Sequence, residues 1–561
     1  MKRKFALILS LFALLSTMLY VRFNTAEVKA SDDIDPSKIY EIVMLWNNSM
    51  TVNDVAVSKD GNYIAAVNNT GLYYFAYDNS TPKWWYSGTT FLSVAISADG
   101  EYVVAGDNSG YLCYFNDSRT TTNDRSAPTW MSIDLGGSVE RGTLDMSDDG
   151  EYVVLGGTGV SLYYFANCTT RSSQNEDCTW QKVFGVVDFL TVHLSPDGRY
   201  VAAGGSAYDM GGFVVFYKDA NIMPYPTEEA WFASRTIDSS IIDLALSDDG
   251  YSVVATDEAT PEIPETLYYW ANATNLTEDP DATWTREWPF HCVDMSADGD
   301  KVIAGTGLFG PCGLHFWANA KALSGSNQTE DWKRHEGETI WDVAISDNGG
   351  IIAASAESEF NYTAYFFKSD GTMIASFDLP QRSPLVSMSG NGLITAVAGL
   401  GPDSLYVFKT VTDTTPPLIK DVYQEPASDN VNFTDDVMVF ANVTDDLSGV
   451  KQVILNYTWI NSTGTWHGTV IMDPLELDIY NGTIPRLPYC TNVTYVIIAE
   501  DNFNNTITTE EMGYEYKYHV IPEFPTEMIL PLLATATLLA MLIRKRRLFS
   551  NARTCNNSKK Q

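Results

Sequence analysis

The stretch Val94-Ala-Ile-Ser-Ala-Asp-Gly-Glu-Tyr-Val-Val-Ala-Gly106 decides the fold. Two short apolar runs flank Ser97-Ala-Asp-Gly100, and this reads as a tight β-hairpin. Gly takes the left-handed backbone that closes the turn, and Asp or Ser side chains satisfy its amides. The turn recurs as Ser58-Lys-Asp-Gly61, Ser147-Asp-Asp-Gly150, Ser195-Pro-Asp-Gly198, Ser247-Asp-Asp-Gly250 and Ser296-Ala-Asp-Gly299. Two altered copies follow, Ser346-Asp-Asn-Gly349 and Ser389-Gly-Asn-Gly392. The acidic residues within these turns are read as punctuation, not as ligands.

Each turn leads into an apolar strand such as Tyr102-Val-Val-Ala105 or Tyr200-Val-Ala-Ala203. A third strand comes next, as in Leu72-Tyr-Tyr-Phe75, Leu162-Tyr-Tyr-Phe165, Leu267-Tyr-Tyr-Trp270, Leu314-His-Phe-Trp317 and Leu405-Tyr-Val-Phe408. After a polar loop, a fourth strand opens on Trp84, Trp130, Trp180, Trp231, Trp284 or Trp332. Four strands in roughly 40–50 residues is the period of a β-propeller blade, and its aromatics belong between blades. Eight turns predict eight blades, with seven as the alternative because the last copies are degraded. The last repeat stops at Lys409 with three strands. The run at 39–46, which precedes the first turn, is expected to supply its fourth and abolish the open edge.

Residues 38–410 thus resemble the WD-repeat and quinoprotein-like propeller superfamily, on the Ser-x-Asp-Gly turn and the Val/Ala-rich strand after it. They depart from it in detail. No Gly-His opens a blade, and Phe-Ala or Trp-Ala stands where Trp-Asp is usual. The Ala-x-Asp-x-x-Thr-Gly pattern of quinone-binding blades is missing, so the resemblance implies the fold without a quinone signature.

At 561 residues and 45% apolar, the chain is too long for one ordinary core and too hydrophobic for disorder. A formal charge of −36 lacks the basic footprint that nucleic acid requires. Met1-Lys-Arg-Lys4, the apolar run 5–21 and the small-residue site ending at Ala30 read as a signal peptide over 1–30, the alternative being an uncleaved anchor. Residues 528–543 carry no charge and are followed by Arg544-Lys-Arg-Arg547. Sixteen helical residues span roughly 24 Å against a typical ~30 Å core, so flanking residues must complete a crossing. Read as a single transmembrane helix, the segment places 31–527 outside the cell and 544–561 in the cytoplasm; a buried amphipathic helix is the alternative.

Asn-x-Ser/Thr sequons agree with an exterior location. They start at Asn47, Asn68, Asn79, Asn116, Asn167, Asn272, Asn275, Asn327, Asn361, Asn432, Asn442, Asn456, Asn461, Asn481, Asn492 and Asn504. Cys168 with Cys178 and Cys292 with Cys312 are the candidate disulfides; Cys113 and Cys490 have no evident partners, and Cys555 falls in the tail. No Cys or His spacing suggests zinc.

Asp413-Thr-Thr-Pro-Pro417 breaks the repeat as a stiff linker. Alternating strands with polar turns over 411–519 then predict a β-sandwich. The Thr-Pro-Pro entry, Asp445-Asp-Leu-Ser-Gly449 and Ala499-Glu-Asp-Asn502 resemble immunoglobulin-like modules of prokaryotic surface proteins. Asp445, Asp446 and Asp501 lie in its acidic loops and are candidate Ca2+ ligands, with solvated turns as the plainer reading. The stalk 520–527 contains Ile521-Pro-Glu-Phe-Pro525. With the apolar segment it resembles archaeal Pro-Glu-Phe sorting tails, which implies sortase-type processing; because 548–561 continue past the basic cluster, simple anchoring is the alternative.

The six His are scattered, without a nucleophile elbow, a phosphate loop or a metal-ligand pair. What distinguishes the repeats is the innermost strand. Two residues before the turn Ser stand Asp145, His193 and Asp294 where four other copies have Ala; four before it stand Asp54, Asp243 and Asp342. On a propeller axis these six either form a ligand site or bond the backbone of neighbouring blades. The leading functional reading is a membrane-anchored, glycosylated surface protein whose propeller binds an extracellular ligand or surface protein. The alternatives are a structural component of the surface layer and a propeller enzyme, whether a quinoprotein-like dehydrogenase, a lyase or a lactonase.

Overall fold

The computed structural model describes residues 35–554 except 158–160, 185–186, 209–210, 224–228, 235–238, 260–264, 308–311, 336, 360, 400, 403, 477 and 522–525. The expected signal peptide and the Pro-Glu-Phe motif lie outside the described residues. The chain divides into two compact units between Thr412 and Asp413.

Among the described residues the first unit holds eight four-stranded antiparallel sheets. Asp54–Val57, Tyr63–Asn68, Gly71–Ala76 and Trp84–Ser87 form the first in consecutive order, and the next six repeat that order. The eighth takes Leu385–Met388, Ile394–Ala398 and Leu405–Thr412 from its own repeat. Its fourth strand is Ile39–Asn48, which pairs antiparallel with Leu405–Thr412 from Ile39 opposite Thr412 to Asn48 opposite Leu405. Each first strand packs against the first strand of the next sheet, and Leu385–Met388 packs against Asp54–Val57, so the series closes on itself. The unit is a β-propeller.

The hairpin turns hold themselves. Ser58 Oγ donates to Asp60 Oδ1 at 2.6 Å, Asp60 Oδ1 accepts from Asn62 N, and Ser58 Oγ accepts from Tyr63 N. Ser97–Asp99 and Ser195–Asp197 repeat the arrangement, and Asn348 and Asn391 take the role in the altered copies. Gly100 sits at φ +73°, with room for a Cβ already filled by the Tyr63 ring of the preceding sheet. The turns also join one another. Asp60 N donates to Ala98 O, Ala98 N to Asp148 O, and Asp148 N to Pro196 O.

Aromatics pack the junctions. The Trp84 ring stacks on Tyr74 of its own sheet at 5.2 Å and leans on Phe115 of the next at 5.4 Å, and its indole N–H donates to Ser118 O. Trp130, Trp180, Trp231 and Trp284 repeat all three contacts. These five indoles are buried. A fully buried aromatic that also satisfies its N–H combines area burial with a specific pose, which is why the same residue recurs at these five junctions.

The second unit contains a β-sandwich. Leu418–Glu425, Val437–Thr444, Ile479–Ile484 and Asp473–Glu476 make one sheet; Gly464–Ile471, Val450–Asn461, Asn492–Asp501 and Thr506–Thr508 make the other, with Tyr516–His519 also paired to Asn492–Asp501. Val439, Val443, Val453, Leu455, Val493 and Ile497 alternate inward to form the core.

Thr526–Thr554 is one helix that runs on through the basic cluster, and among the described residues no helix is long and apolar enough to cross a membrane. One expectation is corrected: the cysteine pairs are not formed, since Cys168, Cys178 and Cys292 carry free thiols. Cys168 is buried with its Sγ directed at Phe165 O, and Cys292 packs against Ile340 in the neighbouring sheet, while Cys312 Sγ donates to Gly307 O.

Candidate functional site

The inner strands bring the six singled-out residues to the propeller axis, where five of them act alike. Asp54 Oδ1 accepts from its own neighbour Val55 N, and Oδ2 reaches into the second sheet to accept from Val94 N and Ser93 Oγ, each bond at 3.0 Å. Asp145 bridges Met146 N and Leu194 N, and Asp243 bridges Leu244 N and Val293 N. Asp294 bridges Met295 N and Ile345 N, and Asp342 bridges Val343 N and Val386 N. Ser387 Oγ accepts from Val57 N and joins the eighth sheet to the first. These carboxylates therefore knit adjacent sheets through the main chain. His193 makes no such bridge; its Nδ1 stands 4.0 Å from Asp145 Oδ2.

Enclosure by the ring penalises charge. Burial pushes Asp54 up to about 6, Asp145 and Asp294 to about 7, and Asp243 to about 8, against the opposing pull of the backbone amides. Burial raises Asp342 as well, and drives His193 down to about 4 although its ring still faces the channel.

Two cations stand at opposite ends of this axis. Lys59, the second residue of the first turn, places Nζ 3.4 Å from Asp148, 2.9 Å from Asp248 and 3.4 Å from Asp347. Those residues hold the same turn position in the third, fifth and seventh sheets. One atom in reach of all three must lie near the axis, so Lys59 crosses it at the turn end. Burial pulls the ammonium down, but the three carboxylates outweigh it and hold it above the ordinary lysine range. At the loop end Arg141 Nη2 lies 3.6 Å from Asp342 Oδ2, and its charge also favours ionised Asp54.

On the loop face, a cavity of about 80 Å3 lies between the fifth, sixth and seventh sheets, lined by Ile242, Glu258, Glu265, Phe290, His291 and Trp341 among others. In the second unit Asp445 and Asp501 do come together, but their companion is Asp413 and not Asp446, which is exposed. One carboxylate oxygen from each lies within 4.8 Å of the others. Asp413 accepts from Thr415 N and Ser448 N; burial pushes its carboxyl up, yet the hydrogen bonds from Ser448 and Thr415 prevail and hold it below the usual range. The oxygen set suits a hard cation such as Ca2+.

No protein family and no curated protein matches the chain. Similar solved structures include the Dos1 propeller, at 9% identity over 66% of this chain and 94% of that one, with a TM-score of 0.48. BamB from Moraxella catarrhalis is 12% identical over 66% of this chain and 100% of that one, at 0.47. The C-terminal WD40 domain of Sif2 is 13% identical over 67% and 99%, at 0.49. The propeller assignment rests on the strand order and the closed ring of sheets.

Reading the sequence missed Lys59, Arg141, Asp413 and the cavity. Lys59 had a signal: the second turn position alternates Lys59, Ala98, Asp148, Pro196, Asp248, Ala297, Asp347, Gly390, charged in every odd copy. Arg141 lies between repeats and had none.

Proposed function

We propose that this chain is a binding propeller of the cell surface, built as an eight-bladed ring, whose partner meets the face formed by the loops that enter the first strands and link the second to the third. One observation carries this reading. The axial carboxylates are engaged with main-chain amides, and Lys59 with its three aspartates crosses the turn end, so the face left to a partner is the loop face, where Glu258, Glu265, His291 and Trp341 line a cavity. The immunoglobulin-like second unit serves as a spacer, with a cation at Asp413, Asp445 and Asp501 as its structural clip. The terminal helix tethers the protein at a membrane, in keeping with the large apolar side chains exposed along it from Leu530 to Ile543. Exposed sequon residues such as Asn79, Asn167, Asn272 and Asn361 carry glycans. Asn68 does not, because its side chain is buried and accepts from Thr70 and Gly71 amides.

The test is photo-crosslinking on intact cells that display the full chain. A crosslinker replacing Glu359 on the loop face should yield a discrete protein or glycan adduct, and one replacing Arg199 on the turn face should not. Adducts from Arg199 alone, or equal yields from both positions, would contradict the assignment of the face.

A further inference from the structure

In the second unit, the hairpin of Val450–Asn461 and Gly464–Ile471 joins a sequon to an exposed ring at its tip. Asn461-Ser-Thr463 turns the chain there, with Asn461 opposite Gly464 and Trp459 opposite Trp466. Cross-strand partners point to the same face of a sheet, so Tyr457, Trp459 and Asn461 share one face with Gly464 and Trp466. Burial fades along that face. Tyr457 belongs to the core, Trp459 packs against it, and Trp466 is 37% exposed. The rings form a ladder, Tyr457 to Trp459 at 5.4 Å and Trp459 to Trp466 at 6.1 Å, with planes within 23° and 17° of parallel. Gly464 lets the ladder reach the turn. A Cβ there would stand 3.2 Å from Trp466 Cη2 and Cζ2, so the outer ring of the indole fills the place of the missing side chain, directly across from Asn461. Asn461 is itself held by the turn: its Oδ1 accepts from Thr463 N at 2.8 Å and from Thr463 Oγ1 at 2.6 Å. Among the described residues those bonds engage only the oxygen, and Nδ2 is the atom to which a glycan is joined.

We propose that Asn461 carries a glycan whose first sugar lies on the Trp466 indole, so that the sugar completes the surface of the hairpin tip. The proposal rests on the reading of the chain as an exported glycoprotein and names a site on it that receives sugar. In the modification, Asn461 Nδ2 bonds to the anomeric carbon of a sugar carried on a lipid phosphate. The bond from that carbon to the phosphate oxygen breaks, the lipid phosphate leaves, and one amide proton passes to solvent. A pyranose presents a face of C–H bonds that packs on the negative face of an indole while its hydroxyls stay in water. Both apolar faces are thereby removed from solvent. A protein partner fits the ring less well. One indole is a small part of the ~800 Å2 that each partner buries in a stable interface, and the neighbouring Ser462, Thr463 and Thr465 are polar and exposed.

The experiment maps glycopeptides of the full chain purified from the cells that make it, and follows hydroxyl-radical oxidation of Trp466 by mass spectrometry. Asn461→Asp is the comparison, because its carboxylate keeps the acceptor for both Thr463 bonds and removes Nδ2. Asn461 should carry a glycan in the parent, and Trp466 should oxidise at least threefold faster in Asn461→Asp. Trp466→Ala should lower the melting temperature of the glycosylated parent more than that of Asn461→Asp, which a ring packed on Trp459 alone would not do. An unmodified Asn461 beside glycans at Asn79 or Asn167 would overturn the proposal and leave the surface reading standing. Absence of glycan from every sequon would overturn both. A glycan at Asn461 with equal oxidation of Trp466 in the two proteins, or with equal melting shifts, would also overturn it. Equal protection of Trp466 together with a dimer crosslinked through the hairpin would assign the ring to a second copy of the chain instead.

Discussion

Trp46 Nε1 donates to Tyr77 O at 2.7 Å, and its ring lies 5.5 Å from Phe75. Trp84 stands in the same relation to Ser118 and Phe115, and Trp180 to Ala220 and Tyr217. Trp46 comes from the N-terminal strand, yet it makes the two cross-junction contacts that those Trp make from the end of their own repeats. The ring is closed by a residue that belongs, by position, to the last sheet.

Deleting residues 35–49 should therefore expose the edge of Leu405–Thr412 and open the ring. Calorimetry of the full chain should then show a broad, non-cooperative transition with aggregation. Trp46→Ala keeps the strand and removes the junction contact; it should cost about 2–3 kcal/mol, below a fully buried Trp because the indole is partly exposed. A deletion variant that melts like the parent would mean that the edge is covered in another way.

Lys59→Met should destabilise the propeller by about 1–3 kcal/mol, since three carboxylates that now share one ammonium would face each other without it. Millimolar Mg2+ or Ca2+ should restore part of the loss in the variant and do little for the parent. Urea titrations with and without the ion measure both effects.

The axial carboxyls set a pH dependence whose sign is opposite to that of a salt-bridged aspartate. An unfolded Asp releases its proton near ~3.9. Asp54, Asp145, Asp294 and Asp243 hold theirs to about 6, 7, 7 and 8 when folded. Between these limits the folded state binds more protons, so stability is fully present below about pH 4 and is lost as pH rises through about 6 to 8. Lys59, held above the ordinary lysine range, stays charged throughout, and His193, driven down to about 4, opposes the slope only below its ordinary ~6.5 and is outnumbered by the four carboxyls. Melting temperatures at constant ionic strength should fall from pH 5 to pH 9, and Asp243→Asn should flatten the upper part of that decline.

What was legible in the sequence was local. The Ser-x-Asp-Gly turn reads correctly because the bonds that shape it close within five residues, as Ser97 with Asp99 and Tyr102 shows. The Trp that opens six of the fourth strands reads as junction core because large aromatics spaced by one repeat have nowhere else to pack. The axial aspartates were visible as departures from Ala, but their partners are 40 to 51 residues away. Only the ring decides between a ligand and a neighbouring amide. Asp413 was hidden by its place in the Pro-rich linker, and Asp446 was favoured merely by adjacency to Asp445. The cysteines were paired by spacing, whereas Cys168 and Cys292 are directed into separate packed junctions.

The measurement that bears most directly on the account is amide hydrogen exchange at Leu194 and Ile345, in the parent and in Asp145→Ala combined with Asp294→Ala. These amides donate to the two carboxylates across sheet junctions. Losing each acceptor leaves a donor unpaired, at a cost of roughly 1–3 kcal/mol. The account predicts slow exchange of both amides in the parent, at least a tenfold acceleration at each in the variant, and a lower melting temperature. Fast exchange in the parent, or unchanged protection and stability in the variant, would contradict it and return those carboxylates to the role of an axial ligand site.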